Sequence, residues 1–370
     1  MLRRFRAYKM WVLFLALPAW ALPVFQVQAI APAGYTSSAT AINASGAVVG
    51  NYLMPDGTFR AFLWQNGQST SLELPTGAVQ TWATAISGTG QAGGYMDSQQ
   101  SPQGVVWDNF GNHAATAGNY IRGLNANGDA AGMAIGGDGA GYAFVTRNGV
   151  MTSLGQPAGG DWSTASAINS AGKAAGTAMN ASGAFQAFTA SADGNIALLN
   201  GLGGANAYAK AINGIGVVAG HAQTAAGALQ ATIWYGTNAV GLGTLGGVNS
   251  YAYAINAARQ VAGYSDLDGS AGTAAFLYDH GILYDLNALL GPGSEWQLLA
   301  AYGMNDSGQI VGKGLLNGQE RAFLLTPVSE SPSALISAVP EPSSLWLAGP
   351  TLLAYFAFRN RKRISVSNRR

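Results

Sequence analysis

No cysteine occurs among the 370 residues, so no disulfide can staple this chain and its stability must come from packing and sheet closure. Only 9% of the residues are charged, which disfavours long solvated helices. Gly recurs 52 times among abundant Ala, Ser, Thr and Asn, a composition suited to short strands and tight turns. Histidine is scarce. His113, His221 and His280 have no partners at metal-ligand or triad spacing, and read as surface loop or strand residues. Asp266-Leu267-Asp268-Gly269 starts like a calcium loop but lacks the later ligands and the Glu at position twelve, so it reads as a hairpin. Walker and dinucleotide fingerprints are missing as well. No catalytic residue, metal ligand or cofactor is expected from these patterns.

Charge is unevenly distributed. Arg3, Arg4, Arg6 and Lys9 crowd one end, and six further basic residues lie within 359–370. Eight Lys and Arg then remain in the body, against all 17 acids. An acidic body argues against phosphate-backbone binding, so nucleic acid is not the expected partner.

The two ends read as addresses. Residues 1–21 hold a basic segment, an apolar run over 10–17 and the small-x-small pattern Ala19-Trp20-Ala21, the layout of a signal peptide cut after Ala21. An uncleaved anchor is the alternative, although the run is short for a span. At the other end Val339-Pro340-Glu341-Pro342-Ser343-Ser344 precedes the apolar segment 345–358 and then Arg359, Arg361, Lys362 and Arg363. This order resembles the PEP-CTERM sorting signal. The resemblance implies processing by an exosortase-type membrane enzyme and a surface or extracellular destination, from a precursor anchored in the inner membrane. The residues alone predict a linker over 328–344, a short membrane helix over 345–358 and a basic cytoplasmic tail over 359–370, with a permanent C-terminal anchor as the alternative to processing and release.

Between these ends one block recurs. AINASGAVVG at 41–50 returns as AINSAGKAAG at 167–176, AINGIGVVAG at 211–220 and AINAARQVAG at 254–263, with weaker copies at 85–94, 123–132 and 303–312. Its Asn position falls at Asn43, Ser87, Asn125, Asn169, Asn213, Asn256 and Asn305, with spacings of 44, 38, 44, 44, 43 and 49. A second block follows each, as AFLW at 61–64 or AFLY at 275–278. The pattern resembles the HAF-type extracellular repeats, which implies architecture and location but no chemistry. Asn followed three residues later by Gly suits a type I turn with a left-handed Gly; Arg259 takes the Gly place in one copy, where a different turn is expected. Four short strands per repeat of about 44 residues match a propeller period. The predicted fold is therefore all-β, a seven-bladed β-propeller over 22–327, with an open solenoid or stacked sheets as alternatives. Its last copy lacks a fourth strand, and residues 25–34 resemble the fourth-strand stretch 151–159. The N-terminus is thus expected to close the ring.

Aromatics are the remaining signal. Tyr35, Trp82, Tyr120, Trp162, Tyr208, Tyr251 and Trp296 each precede an Asn position by five to nine residues. Gathered on one face they could stack sugar rings, with Asn and Asp binding hydroxyls; alternatively they wedge between neighbouring sheets as packing. The expected function is a structural or binding role, without catalysis, in the extracellular matrix or exopolysaccharide layer, with polysaccharide as candidate partner. The alternative is a glycosidase or lyase, whose carboxylate pair cannot be chosen among acids such as Asp97, Asp161 and Glu295.

Overall fold

A computed structural model describes residues 24–328 except 99–100, 109–110, 117, 157 and 271. The expected signal peptide, the Pro340-Glu341-Pro342 linker beyond Val328, the apolar segment and the basic tail lie outside the described residues. Among the described residues no helix is long and apolar enough to cross a membrane.

The described chain is all-β and folds as a β-propeller. After β1 (Val24–Ala29) come consecutive antiparallel meanders. The first is β2 (Ser37–Ile42), β3 (Val48–Leu53), β4 (Phe59–Gln65) and β5 (Gln68–Ser71). Next are β6 (Ala78–Ile86), β7 (Ala92–Ser98), β8 (Gln103–Trp107) and β9 (His113–Ala115). Then follow β10 (Tyr120–Leu124), β11 (Ala130–Ile135), β12 (Gly141–Arg147) and β13 (Val150–Gly155). Strands β14 (Gly159–Ile168), β15 (Ala174–Asn180), β16 (Phe185–Ala190) and β17 (Ile196–Leu198) repeat the pattern. They are bridged to the previous meander at one residue pair, Gly141 and Trp162. Two further sheets are β18 (Gly203–Ile212), β19 (Val218–Thr224), β20 (Leu229–Tyr235) and β21 (Asn238–Gly241), then β22 (Gly246–Ile255), β23 (Val261–Leu267), β24 (Thr273–Asp279) and β25 (Ile282–Asp285). The last is β26 (Trp296–Met304), β27 (Ile310–Leu316) and β28 (Gln319–Val328), with β1 as its outer strand.

That last pairing is the ring closure read from the sequence. Val24 lies opposite Val328 and Ala29 opposite Phe323, and Phe25 is buried with Leu286, Leu298 and Phe323. The first strands of successive sheets touch in the order β2, β6, β10, β14, β18, β22, β26 and back to β2, enclosing an axial opening.

The recurrent residues have mechanical reasons. In each first strand one residue bulges out of register, Thr40 between Ala39 and Ala41 being the first case. The bulge turns the Ser38 carbonyl toward Gly50 on β3, where an added Cβ would come within 2.3 Å of it and 2.6 Å of the Phe62 ring. Only Gly fits, and the second-block Phe covers it: Phe62, Phe144, Phe188, Phe276 and Phe323 are fully buried opposite such glycines. The Asn does more than close its turn. Asn43 Oδ1 accepts from the Ala47 amide at 3.0 Å, and its Nδ2 donates to the Ser87 carbonyl in the next sheet at 3.1 Å. Asn125, Asn169 and Asn213 reach forward to Asn169, Asn213 and Asn256 in the same way. Asn305 Nδ2 donates to the Asn43 carbonyl at 3.0 Å across 262 residues, closing the circle.

Arg259 corrects one expectation. Its turn does not differ: Arg259 adopts φ 67° and its amide donates to the Asn256 carbonyl at 3.0 Å, as Gly46 does to Asn43. The turn geometry is fixed by the Asn and the strands, so Arg absorbs the left-handed strain.

Candidate functional site

The residue just after each block glycine lies opposite the residue five places before the Asn position, and together these pairs form a layer around the ring. The pairs are Ser38/Asn51, Trp82/Tyr95, Tyr120/Met133, Thr164/Thr177, Tyr208/His221, Tyr251/Tyr264 and Ala300/Lys313. Of the seven predicted aromatics, four belong to this layer. They do not stack directly on one another; a second set of rings bridges them. Trp82 stacks on Tyr95 at 4.8 Å, and Tyr95 meets Tyr120 edge-on at 4.9 Å. Tyr208 packs on His221 at 4.9 Å, and His221 on Tyr251 at 5.0 Å. Tyr35 instead leans on Tyr52, and Trp296 on Phe323. Along much of the ring these aromatics touch one another, with centroids 4.8–5.8 Å apart in stacked, tilted and edge-on arrangements.

His221 departs from the surface position expected for it. It is 6% exposed, its Nδ1 has no hydrogen-bond partner, and burial, then the charge of Lys210, push its pKa down to about 3. It is a neutral member of the stack. His113 instead sits 2.8 Å from Glu73, and His280 beside Asp279 in a tight turn.

The girdle breaks at Ala300/Lys313 and at two small polar pairs. At Ser38/Asn51 the gap is satisfied internally, because Asn51 both donates to the Ala83 carbonyl and accepts from the Ala83 amide. At Thr164/Thr177 it is not. Both side chains are buried, 7% and 3% exposed, and neither hydroxyl has a hydrogen-bond partner. An unpaired buried hydroxyl costs about 1–3 kcal/mol. Both threonines line a cavity of about 780 Å³ walled by Trp162, Phe185 and Tyr208, with Asp138, Asp161 and Lys210 also lining it. Trp162 and Phe185 meet edge-on at 5.7 Å, and Phe185 and Tyr208 at 5.2 Å. The Tyr142 hydroxyl donates to Asp138 at 2.5 Å and, with the Ala140 amide, holds that carboxyl below its usual range.

The bulged residues of the seven first strands are Thr40, Thr84, Arg122, Ser166, Lys210, Tyr253 and Tyr302. Thr40 and Thr84 donate to the carbonyls of Ala83 and Ile121 in the next first strand. Lys210 Nζ stands 5.9 Å from the Tyr208 ring and 6.0 Å from Tyr253, and Tyr253 meets Tyr302 edge-on at 5.3 Å. Sequence reasoning missed both the bulge and the bridging rings. The signal was present, since the residue three before each Asn is a variable place immediately ahead of an otherwise repetitive block. Among the described residues no group of His, Asp or Glu is arranged to hold a metal ion.

Solved structures share the fold. The β-propeller domain of the trilobed protease from Pyrococcus furiosus, which has an open velcro topology, is 10% identical, with a TM-score of 0.53 over 80% of this chain and 98% of that one. Virginiamycin B lyase from Staphylococcus aureus is 11% identical, with a TM-score of 0.47 over 82% and 100%. YCF48 bound to D1 peptide is 12% identical, with a TM-score of 0.46 over 85% and 100%. At these identities the likeness concerns architecture alone. No curated protein matches the sequence. The PEP-CTERM protein-sorting motif matches residues 338–362, including Pro340, Glu341 and Pro342, and marks the chain as an exported precursor that an exosortase processes for the cell surface.

Proposed function

We propose that this protein is a surface-displayed, seven-bladed propeller of HAF-type repeats that binds carbohydrate of the extracellular polysaccharide layer without transforming it. Seven Asn positions, seven meanders and the Asn305–Asn43 link support the blade count. The observation that carries the binding role is the break in the girdle, where the Thr164 and Thr177 hydroxyls lie buried without partners beside Trp162 and Phe185. Aromatic walls receive the apolar face of a sugar ring, and convergent hydroxyls and carboxylates fix its orientation. Tyr35, Trp82, Tyr120, Tyr208, Tyr251 and Trp296 serve chiefly as inter-sheet packing in this reading, and Trp162 is the ligand-face member of the set. Before processing, the segment 345–358 holds the precursor in the inner membrane.

A glycan array with the full chain tests it. Trp162→Ala and Thr177→Val should lose sugar binding, whereas Trp82→Ala should lower stability and leave binding intact. Equal binding by all three variants refutes the cavity as the site. One observation favours the enzyme alternative, namely that both Asp138 and Asp161 line the cavity. A glycosidase needs one carboxyl held protonated, and Asp138 is shifted the other way. Release of reducing sugar that disappears in Asp138→Asn and Asp161→Asn would establish that alternative.

A further inference from the structure

We propose that the sugar this cavity takes is anionic, with its carboxylate or sulfate group held by Lys210 and Arg122 and its ring against Trp162 and Phe185. The assignment rests on the carbohydrate reading above and deepens it.

Lys210 lines the cavity and also projects from the bulge of β18. Arg122 occupies the equivalent bulge of β10, and the first strand between them, β14, offers only Ser166 at that place. Among the described residues neither cation forms an ion pair, although acids outnumber bases about two to one in the body of the chain. Lys313 on β27, by contrast, is paired with Glu320 at 3.0 Å. Lys210 lines the cavity, whereas Arg122 is exposed with its guanidinium 5.5 Å from the Tyr120 ring; like charges at these two bulges repel each other. Burial, and then Arg122, hold the Lys210 amine below its ordinary value. An anion placed between them removes that repulsion and forms charge-assisted hydrogen bonds.

The polarity of the site agrees. Asp138 and Asp161 are exposed at the cavity mouth, where they can accept from sugar hydroxyls. Thr164 and Thr177 lie in its wall, and Lys210 lines it as well. A neutral sugar would use the mouth and the wall but leave the cations as unpaired as before. A metal ion would meet two positive charges.

The test uses the full chain on an array printed with acidic oligosaccharides (uronate and sulfated) beside neutral forms of the same backbones, followed by calorimetry on the best pair. The acidic form should bind at least tenfold more tightly than its neutral twin, and raising NaCl from about 50 to 500 mM should weaken only the acidic form. Whether uronate or sulfate leads the array identifies the anionic group. Lys210→Met, which keeps most of the apolar stem, should shrink the ratio of acidic to neutral affinity toward one. Arg122→Met gives the same readout at the second cation if the first variant unfolds. Equal binding of the two forms, or a preference that survives both substitutions, overturns the anion assignment and leaves carbohydrate binding standing. Binding to no sugar on the array overturns both.

Discussion

Replacing Asn213 should show how much the inter-sheet clasp contributes. Its side chain is 4% exposed. Oδ1 accepts from the Val217 amide at 2.9 Å, and Nδ2 donates to the Asn256 carbonyl at 3.1 Å. Asn213→Ala strands the buried Val217 amide and removes the bond to the Asn256 carbonyl in the next sheet, which keeps the Arg259 amide. At about 1–2 kcal/mol for each lost bond and orphaned group, the expected cost is about 3 kcal/mol. Asn213→Ser imitates the natural Ser87, whose hydroxyl still accepts from the Gln91 amide at 3.0 Å; it should cost about half as much. Asn256 is an internal control. Its Nδ2 donates to Gln260 in its own turn, and the next sheet is reached instead by the Ala257 amide donating to Asp306. Asn256→Ala should therefore cost about 1 kcal/mol. Urea unfolding of the full chain, read as midpoint shifts at constant slope, measures all three. Equal losses for Asn213→Ala and Asn256→Ala would refute the view that the amide bond between sheets carries stability beyond its own turn.

Four further outcomes are expected. Phe25→Ala, which empties a buried place on the closing strand, should cost about 3–5 kcal/mol in the same urea assay; a loss under about 1 kcal/mol would mean the ring holds without β1. Arg259→Gly relieves a left-handed residue and should stabilise by about 1 kcal/mol, seen as a higher midpoint. His221 has a folded pKa of about 3, below its unfolded value, so the unfolded chain binds the extra proton. Stability should be complete above about pH 6.5 and fall by about 1.4 kcal/mol per unit toward pH 3; His221→Phe should flatten that slope, and an unchanged acid limb would exclude His221 as its source. Deleting residues 340–370 should abolish retention at the cell surface, and fractionation showing unaltered retention would separate the sorting motif from localisation.

The architecture was legible because its sequence constraints are steric and recur. Gly50 and its equivalents are forced by a carbonyl within about 2 Å of where a Cβ would stand, and Asn43 is forced by two turn bonds. Residues 25–30 could be recognised as the missing strand because a fourth strand had already been seen inside the array. The site was less visible for the opposite reason. Thr164 and Thr177 are informative through the aromatic pair they replace, which needs the register between first and second strands. That register depends on the bulge, and no residue type marks a bulge on its own. Tyr95, His221 and Tyr264 stood in plain sight after each block glycine, yet their role as bridges between sheets appears only when neighbouring strands are laid side by side. Arg259 failed as a signal because a local preference for Gly is worth about 1–2 kcal/mol, less than the strand pairing on either side.

The β1–β28 pairing joins positions about three hundred residues apart in sequence. Contacts that remote form slowly and only after the intervening chain is in place. A polypeptide emerging N-terminus first across a membrane therefore presents β1 early, with nothing to zip against until β28 has followed. Threading and folding are ordered in time by topology alone: the barrier to premature compaction is the absence of the seam's second half, and the circular domain becomes cooperative only when translocation is nearly finished.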